Sequence, residues 1–220
     1  MNVFTSRLAR GRAVKRIADS TVRRLSLYLR YLEDAETRGL ATISSDELAR
    51  RGGTTSAQVR KDLSFFGSFG KRGLGYAVPE LASRLREILG LERDWRVIIV
   101  GAGKIGAALA GYRGFQQRGF RVISVYDTSS DKIGRQLDGV TIHDMSQLER
   151  DIARERPHIA ILAIPGDEAQ RVVDRLVRAG VRAILNFAPV QLHVPGEIAL
   201  KTVNMAMELE GLSFALTNRD

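Results

Sequence analysis

Apolar residues in the first third of the chain recur every three or four positions, as they do on one face of a helix. The clearest case is a helix predicted over 21–38, whose apolar positions include Val22, Leu25, Leu29 and Leu32. From residue 91 onward the pattern changes to short continuous apolar runs, such as 97–100 and 159–164. Such runs are typical of strands that are buried on both faces and joined by helices. The chain is therefore predicted to contain a helical part followed by an α/β part with a doubly wound parallel sheet.

Two short helices with capping signals follow the first helix. Ser44 and Glu47 have the spacing of one capping box, and Thr55 and Gln58 have the spacing of a second. A glycine pair separates the two segments, so together they are typical of a helix-turn-helix. The second helix, predicted over 55–66, would direct outward several side chains that can contact base edges or phosphates, namely Gln58, Arg60, Lys61 and Ser64. The alternative is an ordinary helical hairpin with a polar surface.

A glycine-rich, basic and aromatic stretch over 67–76 follows at the place where a winged helix carries its wing. Lys71 and Arg72 would lie at the tip of this wing, where they could enter a minor groove or contact phosphates. The capped helices and the basic wing together predict a winged helix-turn-helix domain over 21–90. The preceding residues 1–20, with five Arg or Lys, are predicted to form a mobile basic arm.

The charge is distributed unevenly. Residues 1–80 contain 15 Lys and Arg against 8 Asp and Glu, whereas the remaining residues contain 19 against 17. A basic N-terminal part on a nearly neutral remainder indicates a polyanionic partner. A solvated basic face is the alternative that charge alone leaves open.

Three glycines at G-x-G-x-x-G spacing, Gly101, Gly103 and Gly106, follow the apolar run 97–100 and begin a helix predicted over 103–118. In a dinucleotide-binding fold they allow a tight turn, a close approach to the pyrophosphate and close packing of helix on strand. The helix N-terminus also favours an anion. The alternative is a glycine-rich turn in an α/β domain that binds no ligand.

A second strand, predicted over 120–126, ends beside Asp127, which lies 21 residues past Gly106. An acid at this place hydrogen-bonds a ribose hydroxyl and repels a 2′-phosphate, which predicts NAD(H) rather than NADP(H). Further residues at carboxyl ends of strands could form the cofactor wall or bind its carboxamide. The predicted cofactor-binding set is Gly101, Ala102, Gly103, Lys104, Ile105, Gly106, Asp127, Ile164, Pro165 and Asn186.

Several classes of protein are disfavoured. The chain contains no cysteine, which excludes thiol chemistry, and shows no cluster of metal ligands. No apolar run approaches the ~20 residues of a membrane span, so we expect a soluble, cytoplasmic protein that binds neither membrane nor metal. None of the histidines (His143, His158, His193) is placed as a catalytic acid. The dinucleotide is therefore predicted to be a signal and the chain not an enzyme. The alternative is a small NAD-dependent oxidoreductase with an accessory basic domain.

Four segments of the chain are distinctive as a set, namely Gln58–Gly67 (QVRKDLSFFG), Gly70–Tyr76 (GKRGLGY), Gly101–Gly103 and Ile184–Pro189 (ILNFAP). They resemble the Rex family of redox-sensing transcriptional repressors, and the similarity runs in collinear order from about residue 22 to about 216. The resemblance implies a homodimer in which 21–90 is a winged helix domain, 91–202 a Rossmann domain, and 203–220 a terminal helix exchanged between subunits. The exchange fits the amphipathic helix that Met205, Leu209, Leu212 and Phe214 predict there, whose apolar face would pack within the subunit or on a partner. It also implies that a palindromic DNA operator is bound when NADH is scarce and released when NADH binds, with NAD⁺ as a competing ligand.

The resemblance also assigns residues by position. The recognition helix would contact DNA through Gln58, Arg60, Lys61 and Ser64, and the wing through Lys71 and Arg72. Ser45 and Tyr76 are further predicted DNA contacts. Arg30 and Tyr112 match positions that exchange contacts with an aspartate near the start of the terminal helix in relatives. That aspartate position is Asn204 here. The neutral amide of Asn204 can still form hydrogen bonds to Arg30 or Tyr112, but these bonds are weaker than those of a charged carboxylate. The difference from the relatives therefore affects the strength of the redox switch. The alternatives are a solvated Arg30 and a Tyr112 that merely packs against Phe115.

Overall fold

The computed structural model describes residues 3–5, 16–70 and 74–218. The chain separates into two compact units, Met1–Arg93 and Asp94–Asp220. The predicted wing-tip residues Lys71 and Arg72 lie outside the described residues. So do residues 1–2 and 6–15 of the predicted arm.

The first unit is mainly helical. Its elements are β1 (Val3–Thr5), β2 (Arg16–Ala18), α1 (Asp19–Thr37), β3 (Thr42–Ile43), α2 (Ser45–Gly52), α3 (Ser56–Ser64), β4 (Tyr76–Ala77) and α4 (Val78–Ile88). Strands β1 and β2 pair in antiparallel fashion, with Val3 opposite Ala18. These two parts of the predicted mobile arm are therefore paired strands, and α1 begins at Asp19, inside the arm. Strands β3 and β4 also pair in antiparallel fashion, and α2 and α3 lie between them in the sequence.

The core of this unit is formed by the apolar faces that the sequence predicts. Leu25, Leu29 and Leu32 of α1 are buried, together with Val59 and Leu63 of α3. Burial of aliphatic side chains is the main stabilising contribution of such a helical core. Packing against this common core holds α1, α2, α3 and α4 together.

The predicted starts of the two helices are confirmed, with Ser44 and Thr55 as the N-caps. Ser44 Oγ accepts a hydrogen bond from Glu47 N at 3.1 Å at the start of α2. Thr55 Oγ1 accepts one from Gln58 N, also at 3.1 Å, at the start of α3. Each bond satisfies an N–H group that has no partner within its own helix. Gly53 ends α2 in the left-handed conformation, with a φ of +59°, which glycine adopts without steric cost.

The second unit is an α/β domain. Its elements are β5 (Trp95–Val100), α5 (Lys104–Ala110), α6 (Arg113–Gln116), β6 (Phe120–Asp127), β7 (Gln136–Leu137), β8 (Val140–Asp144), a 3-10 turn (Met145–Gln147), α7 (Leu148–Glu155), β9 (Ile159–Leu162), α8 (Gly166–Arg178), β10 (Ala183–Asn186), β11 (Ala199–Thr202) and α9 (Met205–Thr217).

The sheet has the order β11-β10-β9-β5-β6-β8-β7 and is parallel except for the β7–β8 pair at one edge. The chain reverses its direction of winding between β5 and β9, which is where ligands bind in open parallel sheets. The predicted helix over 103–118 is two helices, because Gly111 caps α5 and Tyr112 takes an extended conformation before α6.

Helix α9 differs from its prediction. We expected an apolar face on an amphipathic helix, but none of its described residues is buried. Its large apolar side chains are all well exposed, from 58% for Met205 to 71% for Phe214. Apolar residues occur around the helix rather than on one face, so the single subunit leaves the helix without a packing partner.

None of the helices in the described part of the chain is both long and apolar enough to span a membrane. Across residues 3–5, 16–70 and 74–218, no group of three or more acidic, histidine or cysteine side chains is arranged to hold a metal ion.

Candidate functional site

Glycine is required at two places in the loop between β5 and α5. Gly101 has a φ of +103°, and a Cβ there would lie 2.2 Å from the carbonyl oxygen of Ala163. A Cβ on Gly106 would lie 1.8 Å from the carbonyl oxygen of Gly101. A Cβ on Gly103, by contrast, would meet no atom within 4 Å. The first and third glycines thus serve the fold, whereas the space beside the second is open for a ligand.

A cavity of about 390 Å³ lies at the carboxyl ends of β5, β6 and β9. Five residues of the predicted cofactor set line it, namely Gly101, Gly103, Asp127, Ile164 and Pro165. Ala102, Lys104, Ile105 and Gly106 belong to the same loop and to the first turn of α5 without lining the cavity. Its volume is within the range of small-molecule sites.

Asp127 ends β6 and closes the glycine loop. Its Oδ2 accepts hydrogen bonds from Ala102 N at 2.7 Å and from Lys132 Nζ at 3.2 Å, and its Oδ1 accepts one from Ser129 N at 2.8 Å. Burial by itself would raise the pKa of the Asp127 carboxyl, but these three hydrogen bonds outweigh it and hold the pKa below its usual value. The carboxylate is therefore ionised, positioned and available at the cavity wall.

Several further residues line the cavity that were not predicted to belong to it. Met145 and Val172 provide apolar surface, while Lys132 and Glu168 add one charge of each sign. Lys132 is not in the predicted cofactor-binding set, although it follows Asp127 closely in the sequence. Its five-residue separation from Asp127 was the available signal. Nothing in the local pattern marks Met145 or Val172, because the fold brings them to the cavity from separate elements.

The side chain of Asn186 is turned into the fold and does not line the cavity. Its side chain is fully buried at the end of β10, where Oδ1 accepts from Ala188 N at 2.8 Å and Nδ2 donates to Ala188 O at 3.1 Å. A third contact goes from Nδ2 to Val190 O at 3.4 Å. The amide therefore holds the Asn186–Pro189 turn together and is not available to a nicotinamide carboxamide.

The outward face of α3 carries most of the predicted DNA contacts. Arg60, Lys61 and Ser64 are exposed. Arg60 Nη1 donates to Ser45 Oγ at 2.9 Å, which joins α3 to the start of α2. Ser64 Oγ donates to Lys61 O at 2.8 Å.

Tyr76 does not belong to this exposed face. It pairs with Ile43 and is only 7% exposed, so its side chain is part of the core. Burial raises the pKa of Tyr76, and the nearby positive charge of Arg60 opposes that rise in part. The structure therefore argues against the predicted direct contact between Tyr76 and DNA.

A buried carboxylate that the sequence analysis did not identify lies between α1 and α3. Asp62 is 0% exposed and accepts two hydrogen bonds from Arg24, Nε to Oδ2 at 2.6 Å and Nη2 to Oδ1 at 2.8 Å. Tyr28 Oη donates to Oδ2 at 3.1 Å, and Gln58 Nε2 donates to Oδ1 at 2.8 Å. The amide of Gln58, predicted as a DNA contact, is thus partly engaged inside the unit. An acid on the helical face shared with Val59 and Leu63 was the signal in the sequence.

The three predicted switch residues lie at surfaces. Arg30 is exposed on α1. Tyr112 is 57% exposed, and its ring makes an edge-on contact with Phe115 at a centroid distance of 5.1 Å. Asn204 caps α9, because its Oδ1 accepts from Ala206 N at 3.0 Å and from Met207 N at 3.4 Å. The capping role of Asn204 was not predicted.

Comparison with known families divides the chain in the same way as its fold. Residues 92–190 match the family described as "CoA binding domain". Residues 16–64 match the family described as "Putative DNA-binding protein N-terminus".

Individual relatives cover nearly the whole chain. The redox-sensing transcriptional repressor Rex of Desulfitobacterium hafniense is 45% identical over 93% of this chain and 97% of its own length. The Rex protein of Syntrophomonas wolfei is 46% identical over 94% of this chain and 99% of its own length.

Solved structures agree with the sequence relatives. RSP, a Rex-family repressor, in complex with NADH is 40% identical with a TM-score of 0.84, covering 91% of this chain and 94% of that one. RSP in complex with NAD⁺ and operator DNA is 41% identical with a TM-score of 0.87, covering 91% of this chain and 92% of that one. Given identity above 40% along almost its full length, together with the glycine loop, Asp127 and the capped helix pair, this chain belongs to the Rex family of redox-sensing transcriptional repressors.

Proposed function

We propose that this protein is a DNA-binding transcriptional repressor that senses NADH, with NAD⁺ as a competing ligand. The observation that carries the proposal is the presence in one chain of two separate sites. The first is the cavity at Gly103 and Asp127, and the second is the exposed basic face of α3. The relative RSP has been solved with NADH and with NAD⁺ plus operator DNA, which supports both ligands.

The nucleotide is assigned to the cavity by its chemistry. The open space at Gly103 suits a pyrophosphate, the ionised Asp127 suits a ribose diol, and apolar Met145 and Val172 suit a planar base. A 2′-phosphate would meet the negative charge of Asp127, although Lys132 at 3.2 Å offsets part of that repulsion. We therefore propose selectivity for NADH over NADPH.

The protein–DNA interaction follows from the winged helix unit. Arg60 and Lys61 are exposed donors on α3 that suit guanine edges and phosphates. Lys71 and Arg72 are proposed to add contacts from the wing. A palindromic operator requires two such helices at a fixed spacing, and hence a homodimer.

Coupling of the two sites requires that NADH bind better to a form of the dimer that does not fit the operator. A ligand with equal affinity for both forms would release nothing, however tightly it binds. Signalling of this kind needs no catalytic acid at the nicotinamide, in keeping with relatives that are named as repressors. The competing proposal, a small oxidoreductase, predicts turnover with a hydroxy acid or aldehyde.

The test is a fluorescence-anisotropy titration of the full chain with a palindromic operator in fixed salt, followed by addition of NADH or NAD⁺. We expect NADH to release the DNA at concentrations at which NAD⁺ does not. Tight operator binding that neither nucleotide affects would contradict the sensing role. Failure to bind DNA, combined with turnover of a substrate, would favour the oxidoreductase.

Asn204→Asp tests the proposed switch. Aspartate caps a helix as well as asparagine, so α9 should keep its start and the fold its stability. The added charge restores the charge-assisted contact proposed for Arg30 and Tyr112, so less NADH should release the operator. Asn204→Ser is the matched control, since serine also caps the helix but carries no charge. Equal NADH requirements in all three proteins would remove Asn204 from the switch.

A further inference from the structure

The carboxylate of Asp62 is saturated with donors. Besides the paired bonds from Arg24 and the bonds from Tyr28 and Gln58, Thr21 Oγ1 lies 3.4 Å from Oδ1. Arg24 Nη2 also donates to Thr21 Oγ1 at 3.1 Å, which holds the guanidinium in place. All four of these side chains donate hydrogen bonds to the carboxylate, and three of them belong to α1. Asp62 therefore joins α3 to α1 through hydrogen bonds in which its carboxylate is always the acceptor.

Because the carboxylate only accepts, it determines which end of the Gln58 amide group faces it. Burial by itself would raise the pKa of the Asp62 carboxyl, but hydrogen bonds from Arg24, Gln58 and Tyr28 outweigh it and hold the pKa below its usual value. An ionised carboxylate has no proton to donate, so only the nitrogen end of the Gln58 amide can face it. The observed bond, Nε2 to Oδ1 at 2.8 Å, has this orientation. The amide oxygen is consequently directed away from Asp62.

This oxygen is free to accept a hydrogen bond from a ligand. Gln58 is half-buried in the first turn of α3, and within the described part of the chain no group donates to its Oε1. The N-terminal residues of a recognition helix are those that contact base edges in the major groove. There, adenine N6 and cytosine N4 are donors, whereas guanine O6 and N7 and thymine O4 are acceptors.

We propose that Asp62 is a positioning residue that presents the amide oxygen of Gln58 to the major groove, so that Gln58 selects a base whose exocyclic amine lies in that groove, adenine or cytosine, at one position of each half-site. Guanine and thymine are rejected there because two acceptors face each other. Arg60 and Lys61 carry only hydrogen-bond donors and therefore suit guanine. The acceptor oxygen of Gln58 on the same helix favours adenine or cytosine instead. The inference rests on the proposed binding of operator DNA.

The experiment uses the full chain and an operator selected from a randomised DNA pool. Each base pair of one half-site is changed to the other three, and affinities are measured by fluorescence anisotropy in fixed salt. For the wild type we expect adenine or cytosine to be preferred over guanine and thymine at one position by roughly 5- to 150-fold, the range for a well-formed base contact. Gln58→Met should abolish this preference and leave those at other positions unchanged.

Asp62→Asn tests the positioning role. A neutral amide at this place can donate as well as accept, so the Gln58 amide is no longer held in one orientation. We expect the preference at the same position to fall at least fivefold or to reverse toward guanine or thymine. The affinity for NADH, measured by nucleotide fluorescence, should not change. Where Asp62→Asn fails to fold, Gln58→Met decides the inference alone.

A matched control and an altered base complete the test. Gln170 in α8 makes the same bond across one helical turn, Nε2 to Asp174 Oδ1 at 2.8 Å, but lies in the second unit, so Gln170→Met should leave all base preferences unchanged. Replacing the preferred base by its analogue without the amine should weaken binding of the wild type and not of Gln58→Met. Operator binding with the same base preferences in wild type and Gln58→Met would overturn the inference alone. Absence of operator binding by the wild type would overturn both it and the proposed function.

Discussion

At the scale of single residues, two aspartates combine burial with a lowered pKa but serve different purposes. Asp62 is enclosed by donors of its own unit, whereas Asp127 lines a cavity and is 11% exposed at its side chain. The carboxylate of Asp127 is prepared by backbone N–H groups that would hold it in place with or without a nucleotide. Such preparation lowers the entropic cost of binding.

Asp127→Ala is expected to weaken NADH binding roughly 10- to 100-fold, because hydrogen bonds to a charged group contribute about 1.5–3 kcal/mol. Discrimination against NADPH should also decline, since Lys132 loses its partner and can pair with a 2′-phosphate. Titration of nucleotide fluorescence with NADH and NADPH provides the measurement. Asp131→Ala, at an exposed position nearby, is the control and should bind as the wild type does. Undiminished selectivity would mean that another residue distinguishes the two nucleotides.

Acid should weaken the fold through the same two carboxylates. Because the pKa values of Asp62 and Asp127 are lower in the folded than in the unfolded chain, each contributes stability at pH values above the unfolded pKa of about 3.9. This contribution is lost as the pH falls through the folded pKa. Asp62→Asn should therefore be less stable than the wild type at pH 7, with a smaller difference at pH 3. Urea unfolding followed by circular dichroism measures both differences, and a difference independent of pH would contradict the linkage.

At the scale of elements, the β5–α5 connection separates residues needed for folding from residues needed for binding. Gly106 allows α5 to pack against the loop, while the open space beside Gly103 remains available to a ligand. The same motif thus contains two kinds of glycine, and substitution should distinguish them.

Gly106→Ala should destabilise the second unit, because its Cβ would lie 1.8 Å from the backbone oxygen of Gly101. Gly103→Ala should fold normally, since its Cβ meets no atom within 4 Å, but its methyl group would occupy the space assigned to the pyrophosphate. Thermal unfolding and NADH titration of both variants make the comparison. Normal NADH affinity in Gly103→Ala would place the pyrophosphate elsewhere.

At the scale of the whole molecule, α9 is the element whose environment the single subunit does not supply. Six large apolar side chains between 58% and 71% exposed on one helix exceed what a stable monomer usually presents to water. Enclosure by a second copy is the arrangement that the proposed palindromic operator also requires.

Leu209→Glu combined with Leu212→Glu should convert the proposed dimer into a monomer, since both side chains lie one turn apart on α9 and each charge would be costly to bury. Light scattering coupled to gel filtration should give about twice the 24.3 kDa chain mass for the wild type and the single chain mass for the variant. Gln116→Glu with Gln117→Glu adds the same two charges at exposed polar positions and should remain dimeric. A wild type that is monomeric at micromolar concentration would contradict the assignment of α9.

Local features of this protein follow from its sequence because their causes are local. The caps at Ser44 and Thr55, the strand before Gly101 and the end of β6 at Asp127 each depend on residues within one turn or one strand. The resemblance to the Rex family likewise rests on contiguous motifs. Spacing alone therefore sufficed to predict a helical part followed by an α/β part, and to predict the glycine loop and Asp127 that line the cavity of the proposed dinucleotide site.

Other features depend on contacts between residues far apart in the chain, and only the tertiary structure decided them. Asp62 is buried and ionised because Arg24, 38 residues away in the sequence, donates hydrogen bonds to it. Tyr76 lies in the core because β4 pairs with β3. Asn186 turned inward to hold its own turn, although its position at a strand end had indicated a ligand contact. A buried polar side chain forms hydrogen bonds with the groups that the fold places around it. The pattern of one segment contains no information about which groups those are.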